Sequence, residues 1–389
     1  MTLLKTPLAP MLDVLIVGGG PVGLYLGCLL AERGVSFAVL EKRLQPGQHS
    51  RAIGIHPPAL AAFAPLGLTA PMLAAGVRIE RGVVRGESGV LGELSFASAH
   101  PEYPFVLALP QRQTEQLLEA RLDELAPGAL RRGSELTGLQ DEGSSVSVSA
   151  EQGGAPLSLQ ARYVVGADGC RSVVRTLAGI DYPGDTYRDR YLMGDFPDTT
   201  PFGMAALVFL RRGGVVESFP LPGRLRRWVA HTGTLLPDAQ PADLAALVHD
   251  RTGQYLPAAE CSMLSAFEVR HHGANWMVSG RVLLIGDAAH EVSPIGGQGM
   301  NLGWLDAGAL APLLQLALSD PEAGRAALRR FEQTRQRSAR IATRQAELNM
   351  LAGRPTGSRR QQGREWLLRG LLSPGVQPLL ARAFTMKWL

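Results

Sequence analysis

The sequence predicts an α/β fold: a Rossmann-like dinucleotide-binding domain, an inserted and mainly antiparallel β-sheet, and a helical carboxyl-terminal region. Three observations carry this. A strand, a glycine turn, a helix and a second strand open the chain. Between about 182 and 275 the texture changes to successive short strands with glycine turns. Beyond Gly299 the pattern is helical nearly to the end. With 389 residues, 46% of them hydrophobic, the chain is long enough for two domains rather than one.

The opening unit is "MLDVLIVGGGPVGLYLGCLLAERG". Leu12 to Val17 reads as a buried strand, and Pro21 to about Glu32 as a helix stopped by Gly34. "VSFAVLEK" is a second apolar strand ending at Glu41. Residues 42 to 76 form a long proline-containing connection with one helical piece around Pro58 to Pro65. "FVLALPQRQTEQLLEARLDEL" is a strand followed by a helix. "VSVSA" and "PLSLQARYVVGADG" suggest an antiparallel ribbon returning to a buried strand. In the inserted region, turns fall at Gly213-Gly214 and Gly223, and a helix is expected near Ala242 to Asp250. "GRVLLIGDAAH" is again a fully buried strand, and "GRPTGSRR" and "SPG" interrupt the later helices.

Composition excludes several classes. The net charge is +4, and the basic residues are scattered arginines apart from Lys5, Lys42 and Lys387. That pattern does not suit nucleic acid. Cys28, Cys170 and Cys261 are widely spaced without a CxxC, which excludes a disulfide framework and a cysteine-rich zinc site. No metal site is expected. The apolar run near the start ends at glycines without a cleavage site, so it reads as a strand, and a reduced cytoplasmic setting is expected.

"GGGPVG" satisfies GxGxxG through Gly18, Gly20 and Gly23, between a clean strand and a clean helix. Gly18 allows the tight turn. Gly20 lets the backbone approach a pyrophosphate at the helix N-terminus, next to Pro21 and Val22. Gly23 allows close helix–strand packing. Glu41 lies at the end of the next strand, where it can accept hydrogen bonds from a ribose diol. This segment alone says dinucleotide and leaves NAD and FAD both open.

Two later segments narrow the choice. "GADGCRSVVR" spans residues 166 to 175, and "GDAAHEVSPIGGQGMNLGWLDAGAL" begins at Gly286. With "GGGPVG" and Glu41-Lys42-Arg43, in this order, the chain resembles the single-component flavoprotein monooxygenases of the aromatic hydroxylase class. The resemblance covers residues 11 to 345. It implies an FAD-binding Rossmann-like domain from 1–75, 105–181 and 276–345. A substrate domain from 76–104 and 182–275 and a helical region from 346–389 complete the expected division.

The resemblance also implies roles. Asp287, after Gly286, binds a ribityl hydroxyl; its competing reading is a helix N-cap. Pro294 lies beside the flavin ring, and Gly296, Gly297, Gly299, Met300 and Asn301 belong to the flavin-side segment. Backbone N–H groups there can stabilise negative charge on reduced flavin. Met300 and Trp304 can equally be helix packing. Asp168 belongs to a pyrophosphate-contacting turn. Arg171 and Arg175 are spaced to share a helix face, serving charge pairing, nucleotide phosphates or simply a solvated surface. Arg112 matches an arginine that reaches the pyrophosphate, with local pairing to Glu115 as its alternative. Arg51 matches an arginine of the family's flavin loop. His290 orients the loop or satisfies buried carbonyls.

The implied activity is hydroxylation of an aromatic or other electron-rich small molecule, using FAD, O2 and NADH or NADPH through a flavin C4a-hydroperoxide. The protein then needs no nucleophile, and no G-x-S-x-G supports a triad. Pocket candidates are Arg51, Pro294 and Ile295 on the flavin side and Phe209, Phe219 and Leu221 on the inserted sheet. Arg190, Tyr191, His231, His271 and His272 are further polar candidates. Geranylgeranyl reductase-like flavin reductases share the scaffold, but "SPIGGQGMN" resembles the hydroxylases better. A halogenase lacks its WxWxIP segment here, and a non-catalytic FAD-binding protein is the remaining alternative. The apolar carboxyl-terminal stretch suits cover over the core or a subunit contact better than a membrane contact.

Overall fold

The computed structural model describes residues 11–47, 52–373 and 375–386. Its first sheet has eight strands. Leu12–Val17 is central, paired in parallel with Phe37–Glu41 on one side and Ala155–Gly166 on the other. Val282–Leu284 adds a further parallel strand beyond Gly166, and Leu130–Arg132 one beyond Glu41. Ser134–Asp141 and Val146–Gln152 form the expected antiparallel ribbon against Ala155–Gly166. The central strands are buried on both faces, which explains their unbroken aliphatic runs.

The register explains why three distant motifs meet. Val17 pairs with Leu40 and with Gly166, and Gly166 pairs with Leu284. Four parallel strands therefore end at one level, and each runs into a motif: Glu41, "GGG", "ADG" and "GD". Ligands of open α/β sheets bind at that carboxyl edge.

The helix Pro21–Ala31 packs between Gln111–Leu125 and Gly299–Ser319. The last of these is long and apolar enough to pass for a membrane span by length and composition. In this fold it is a core helix, with Leu302, Trp304, Ala307, Leu310 and Leu314 buried. The helix Pro321–Gly353 follows and runs unbroken through residue 345, so the boundary expected there falls inside a helix.

The second sheet is also eight-stranded. Its members include Arg81–Gly86, Gly89–Ser95, Gly184–Pro197, Ala206–Arg211, Gly214–Leu221, Leu225–Thr232 and Met263–Gly273. His290–Glu291 from the third motif pairs onto its edge. Pairing is antiparallel except between Ala206–Arg211 and Arg81–Gly86. One face packs against the helix Pro241–Thr252 around Phe196, Phe209 and Trp228. The other faces the first sheet across a cleft. The helices Ser358–Leu371 and Gln377–Phe384 cover part of this face, with Gln361 donating to the Leu210 carbonyl at 2.9 Å.

Candidate active site

One continuous cleft of about 890 Å³ runs from the first glycine turn to the second sheet. At one end the glycines are shaped by backbone contact. A β-carbon on Gly18, whose φ is +110°, would sit 2.4 Å from the Ala167 carbonyl oxygen. One on Gly23 would sit 1.9 Å from the Gly18 oxygen, which is the close helix–strand packing the motif requires. At Gly20 a β-carbon would meet no protein atom within 4 Å. Gly20 thus leaves backbone open to the cleft at the N-terminus of an 11-residue helix that has Pro21 in its first turn.

Glu41 lines the same end with Lys42 and Arg43. Its carboxylate accepts the Gly19 N–H at 2.8 Å and the Arg43 N–H and Nε–H at 2.9 Å. Burial would raise its pKa, but the Arg43 hydrogen bonds and charge together with the Gly19 N–H hold it below the usual range. Asp168 also lines the cleft. Its carboxylate accepts Ser172 Oγ–H at 2.5 Å and the Val173 and Val174 N–H groups at 2.7 and 3.2 Å, so it ties the turn to the following short helix.

The expected partnership of Arg171 and Arg175 on one helix face is not formed. The helix is only Val173–Leu177, and Arg171 precedes it at the cleft. Arg175 is buried, donates to the Ala288 and Cys170 carbonyls at 3.0 and 2.8 Å, and lies 3.7 Å over the Tyr182 ring. Arg175 therefore clamps the second motif to the third. Arg112 is exposed and off the cleft, and Gln111 lines it in that place. One position on a helix turns a side chain by about 100°, enough to exchange the two. Arg51 lies outside the described residues.

The third motif touches the first. Gly303 approaches Val22 so closely that a β-carbon would lie 2.5 Å from it, and the Trp304 indole N–H donates to the Pro21 carbonyl at 3.1 Å. Trp304 is core packing, as one of its readings allowed. Gly286 has φ +60° at the turn after Leu284. Asp287 is exposed on the cleft in a short 3₁₀ turn, where desolvation by the cleft walls pushes its pKa up to about 6, His290 opposing and Glu291 and Asp306 adding. Its side chain caps no helix among the described residues.

Asn301 binds the flavin-side segment together. Its Oδ1 accepts the His56 N–H at 2.8 Å, and its Nδ2 donates to the Gly54 and Gly297 carbonyls at 2.9 and 2.7 Å. His56 Nε2 lies 3.1 Å from the Gly296 carbonyl, so it carries the hydrogen; buried Nδ1 is an acceptor with no partner among the described residues. Burial pushes His56 down to about 4, and the ring is neutral. Pro294, Ile295, Gly297, Gly299 and Met300 all line the cleft. His290 does not. It is buried, and its Nε2 meets Asp306 Oδ2 at 2.6 Å, while Arg335 donates to Asp306 Oδ1 at 2.6 Å.

On the sheet side the strands alternate. Met193, Val208, Leu210, Val215, Glu217 and Phe219 face the cleft. Phe219 is placed as expected. Phe209 is not: it points to the opposite face and stacks on Trp228, because adjacent residues of a strand face opposite ways. Leu221 shares the face of Phe219 but lies past the cavity, packed with Phe96, Val106 and Ala381. Of the polar candidates, His231 is engaged with Asp189, His272 with Glu291 and Arg190 with Glu268, while the Tyr191 hydroxyl and His271 Nδ1 are buried with no hydrogen-bond partner among the described residues. Glu217 and Gln111 were missed from the sequence. The alternation Val215, Glu217, Phe219 was a usable signal, since it places the acid on the face of a named candidate.

These residues fit an extended dinucleotide. Glu41 suits a ribose, Gly20 and the helix N-terminus a pyrophosphate, Asp287 a polyol, and the Pro294–Met300 segment with His56 a ring.

Comparison with known proteins agrees. The model of the family described as FAD binding domain matches residues 11–346. A 12-dehydrotetracycline 5-monooxygenase/anhydrotetracycline 6-monooxygenase of Streptomyces rimosus is 33% identical over 318 residues, 76% of this chain and 61% of that protein. A rifampicin monooxygenase of Streptomyces venezuelae is 35% identical over 311 residues, 76% of this chain and 62% of that protein. The chain thus spans somewhat over three fifths of their length. Among solved structures, OxyS anhydrotetracycline hydroxylase from Streptomyces rimosus aligns with a TM-score of 0.81 at 29% identity, over 97% of this chain and 76% of that one. p-Nitrophenol 4-monooxygenase from Pseudomonas putida shares the fold, with a TM-score of 0.86 over 97% and 98% of the two chains at 24% identity. With its three glycine motifs gathered on one cleft and the family model matched from residue 11 to 346, this chain belongs to the FAD binding domain family.

Proposed function

We propose that the protein is an FAD-dependent monooxygenase that uses NADH or NADPH and O2 to hydroxylate an aromatic or other electron-rich small molecule. The observation that carries this reading is the continuity of the cleft. A dinucleotide end lined by Gly20 and Glu41 opens, past Pro294 and Gly297, onto an apolar cavity walled by Met193, Val208, Phe219 and Phe267. The names of the relatives support the same reading.

In this reading Gly18, Gly20, Pro21, Val22, Gly23, Glu41, Lys42 and Arg43 hold the adenosine and pyrophosphate end. Arg51 and Asp168, with Gln111 in the place expected of Arg112, belong to the middle. Gly286, Asp287, Pro294, Gly297, Gly299, Met300 and Asn301 hold the ribityl and ring. The chemistry supplied by bound FAD is two-electron transfer from NADH or NADPH and activation of O2. The chain's own contribution is to position the ring through the Asn301–His56–Gly297 ties, and to keep water from the reacting carbon with aliphatic and aromatic walls. The positive end of the helix Gly299–Ser319 opens on the cleft at Gly299 and Met300, where it would stabilise negative charge on a bound reduced ring. The helices after residue 358 close the cavity, with Leu368, Leu372 and Phe384 in its wall. Three free cysteines accord with a reduced, cytoplasmic setting.

The test is aerobic NADH and NADPH oxidation by the flavin-loaded protein across phenols, hydroxypyridines and quinone precursors, with product mass and peroxide measured together. The expected result is a product heavier by one oxygen atom, labelled from ¹⁸O2, with little matching peroxide. Substrate reduction without oxygen incorporation would instead establish a reductase.

A further inference from the structure

The cavity wall built by the second sheet is mostly apolar; Arg227, Glu268, Arg270 and Glu291 line it within ion pairs, whereas Glu217 has none among the described residues. Glu217 sits mid-strand with Val208 and Val229 as its cross-strand neighbours and Val215 and Phe219 on its own face. No described residue pairs with its carboxyl or hydrogen-bonds to it, and it lines the cavity. The other charges nearby are satisfied within the protein: Arg227 by Asp195 at 2.7 and 2.8 Å, Arg270 by Glu268, and His231 by Asp189. Tyr191, on the strand Gly184–Pro197 one strand beyond Leu225–Thr232, feels the Glu217 charge, and its buried hydroxyl has no partner among the described residues. Glu217 is half-buried and its carboxyl opens on the cavity without a protein partner among the described residues, which points to a group that arrives with the ligand.

We propose that Glu217 is the specificity-determining group of the cavity, accepting the hydroxyl hydrogen of a phenolic substrate and taking its proton. This rests on the aromatic hydroxylation reading above. In the transfer the substrate O–H bond breaks and an O–H bond forms on a Glu217 oxygen. The electron pair remains on the substrate as phenolate, and nothing is oxidised or reduced. One negative charge is present before and after, so the apolar cavity never has to hold two. A carboxylic acid substrate would place a second anion there, and a cation would stay locked to the carboxylate. Burial pushes Glu217 up to about 7, which suits proton exchange with a weakly acidic hydroxyl. The resulting phenolate is the more electron-rich ring.

The test uses the FAD-loaded full chain at about pH 8 with four probes: 2-naphthol, 2-methoxynaphthalene, 2-naphthoate and 2-(aminomethyl)naphthalene. Binding is titrated by perturbation of the flavin spectrum, and difference absorption reports whether bound naphthol is ionised. Wild type should prefer naphthol to its methyl ether by about tenfold or more, the worth of a hydrogen bond to a charged group. Glu217→Leu should bring the two within about twofold. Glu217→Gln should still bind naphthol, but in its neutral form. Equal binding of naphthol and ether by wild type, an unchanged preference in Glu217→Leu, or ionised naphthol in Glu217→Gln would each overturn the proposal. So would a Glu217-dependent preference for the amine or the carboxylate. Thermal melts and flavin content of the variants report folding, with Glu217→Gln retaining the shape where Glu217→Leu does not. Flavin reduction by NADH or NADPH is read in the same samples. If reduction fails, the monooxygenase reading falls while the binding ratio still judges Glu217; if reduction stands and the ratio fails, Glu217 alone is wrong.

Discussion

Gly23 has no room for a β-carbon, because the Gly18 carbonyl oxygen lies 1.9 Å from where it would be placed. Gly23→Ala should therefore part helix from strand and lower both stability and flavin retention; melting temperature and flavin absorbance after gel filtration check this. Asp287→Ala separates the two effects. Its carboxylate opens on the cleft rather than on the protein, so flavin affinity should fall about tenfold while the apoprotein melts as wild type. Glu217 makes a prediction of opposite sign. Folding raises its pKa from 4.5 to about 7 by burial. An acid raised in this way disfavours the folded state once the unfolded chain begins to ionise. Wild type should lose stability as pH rises from 4.5 to about 7 and then level off. Glu217→Gln should be more stable above that window by on the order of 2 kcal/mol and equal to wild type below it. Denaturant melts across pH measure the difference.

At the scale of elements, the helix Gly299–Ser319 is fastened where its sequence carries one acid. Asp306 accepts the Gly286 N–H at 3.0 Å, meets His290 Nε2 at 2.6 Å, and accepts from Arg335 of the next helix at 2.6 Å. Burial would lower the His290 pKa, but the Asp306 carboxylate outweighs burial and raises it; His290 and Arg335 hold Asp306 below its usual range. The histidine's contribution is lost as pH rises through its raised pKa. The aspartate's is lost as pH falls through its lowered one. Stabilisation by the cluster is thus fullest between about pH 4 and 6.5, the ordinary values of the two groups. Asp306→Asn leaves Arg335 and His290 uncompensated, and should cost about 3 kcal/mol and flatten this profile. The cost should also appear as weaker flavin retention, because Gly286 and Asp287 lose their anchor. His290 thus serves the loop's position, one of the two roles its sequence context allowed.

At the scale of the whole molecule, the cleft lies between two sheets that are covered differently. Flavin bridging the three motifs should stiffen the whole, and its removal should lower the melting temperature. At a hundredfold excess over its dissociation constant the added stability is about 2.7 kcal/mol, and titrating FAD into apoprotein during thermal melts checks that dependence. The glycine motifs were legible because each works through its immediate neighbours: a strand end, a turn, a helix start. The inserted sheet was legible as strands but not as faces. Phe209 and Val208 differ by one position, yet one stacks on Trp228 and the other lines the cavity. Arg112 and Gln111 differ in the same way on a helix.

Sequence alone therefore determined the flavin-binding architecture and the order of its motifs. Glycine sterics, strand periodicity and helix starts act within a few residues, and they are written locally. Only the tertiary structure decided which side of each strand or helix meets the ligand. It buried Arg175 as a clamp between motifs, turned His290 toward Asp306, and left Glu217 without a partner among the described residues in a mostly apolar wall. Those outcomes depend on packing between segments up to hundreds of residues apart, which no local pattern records.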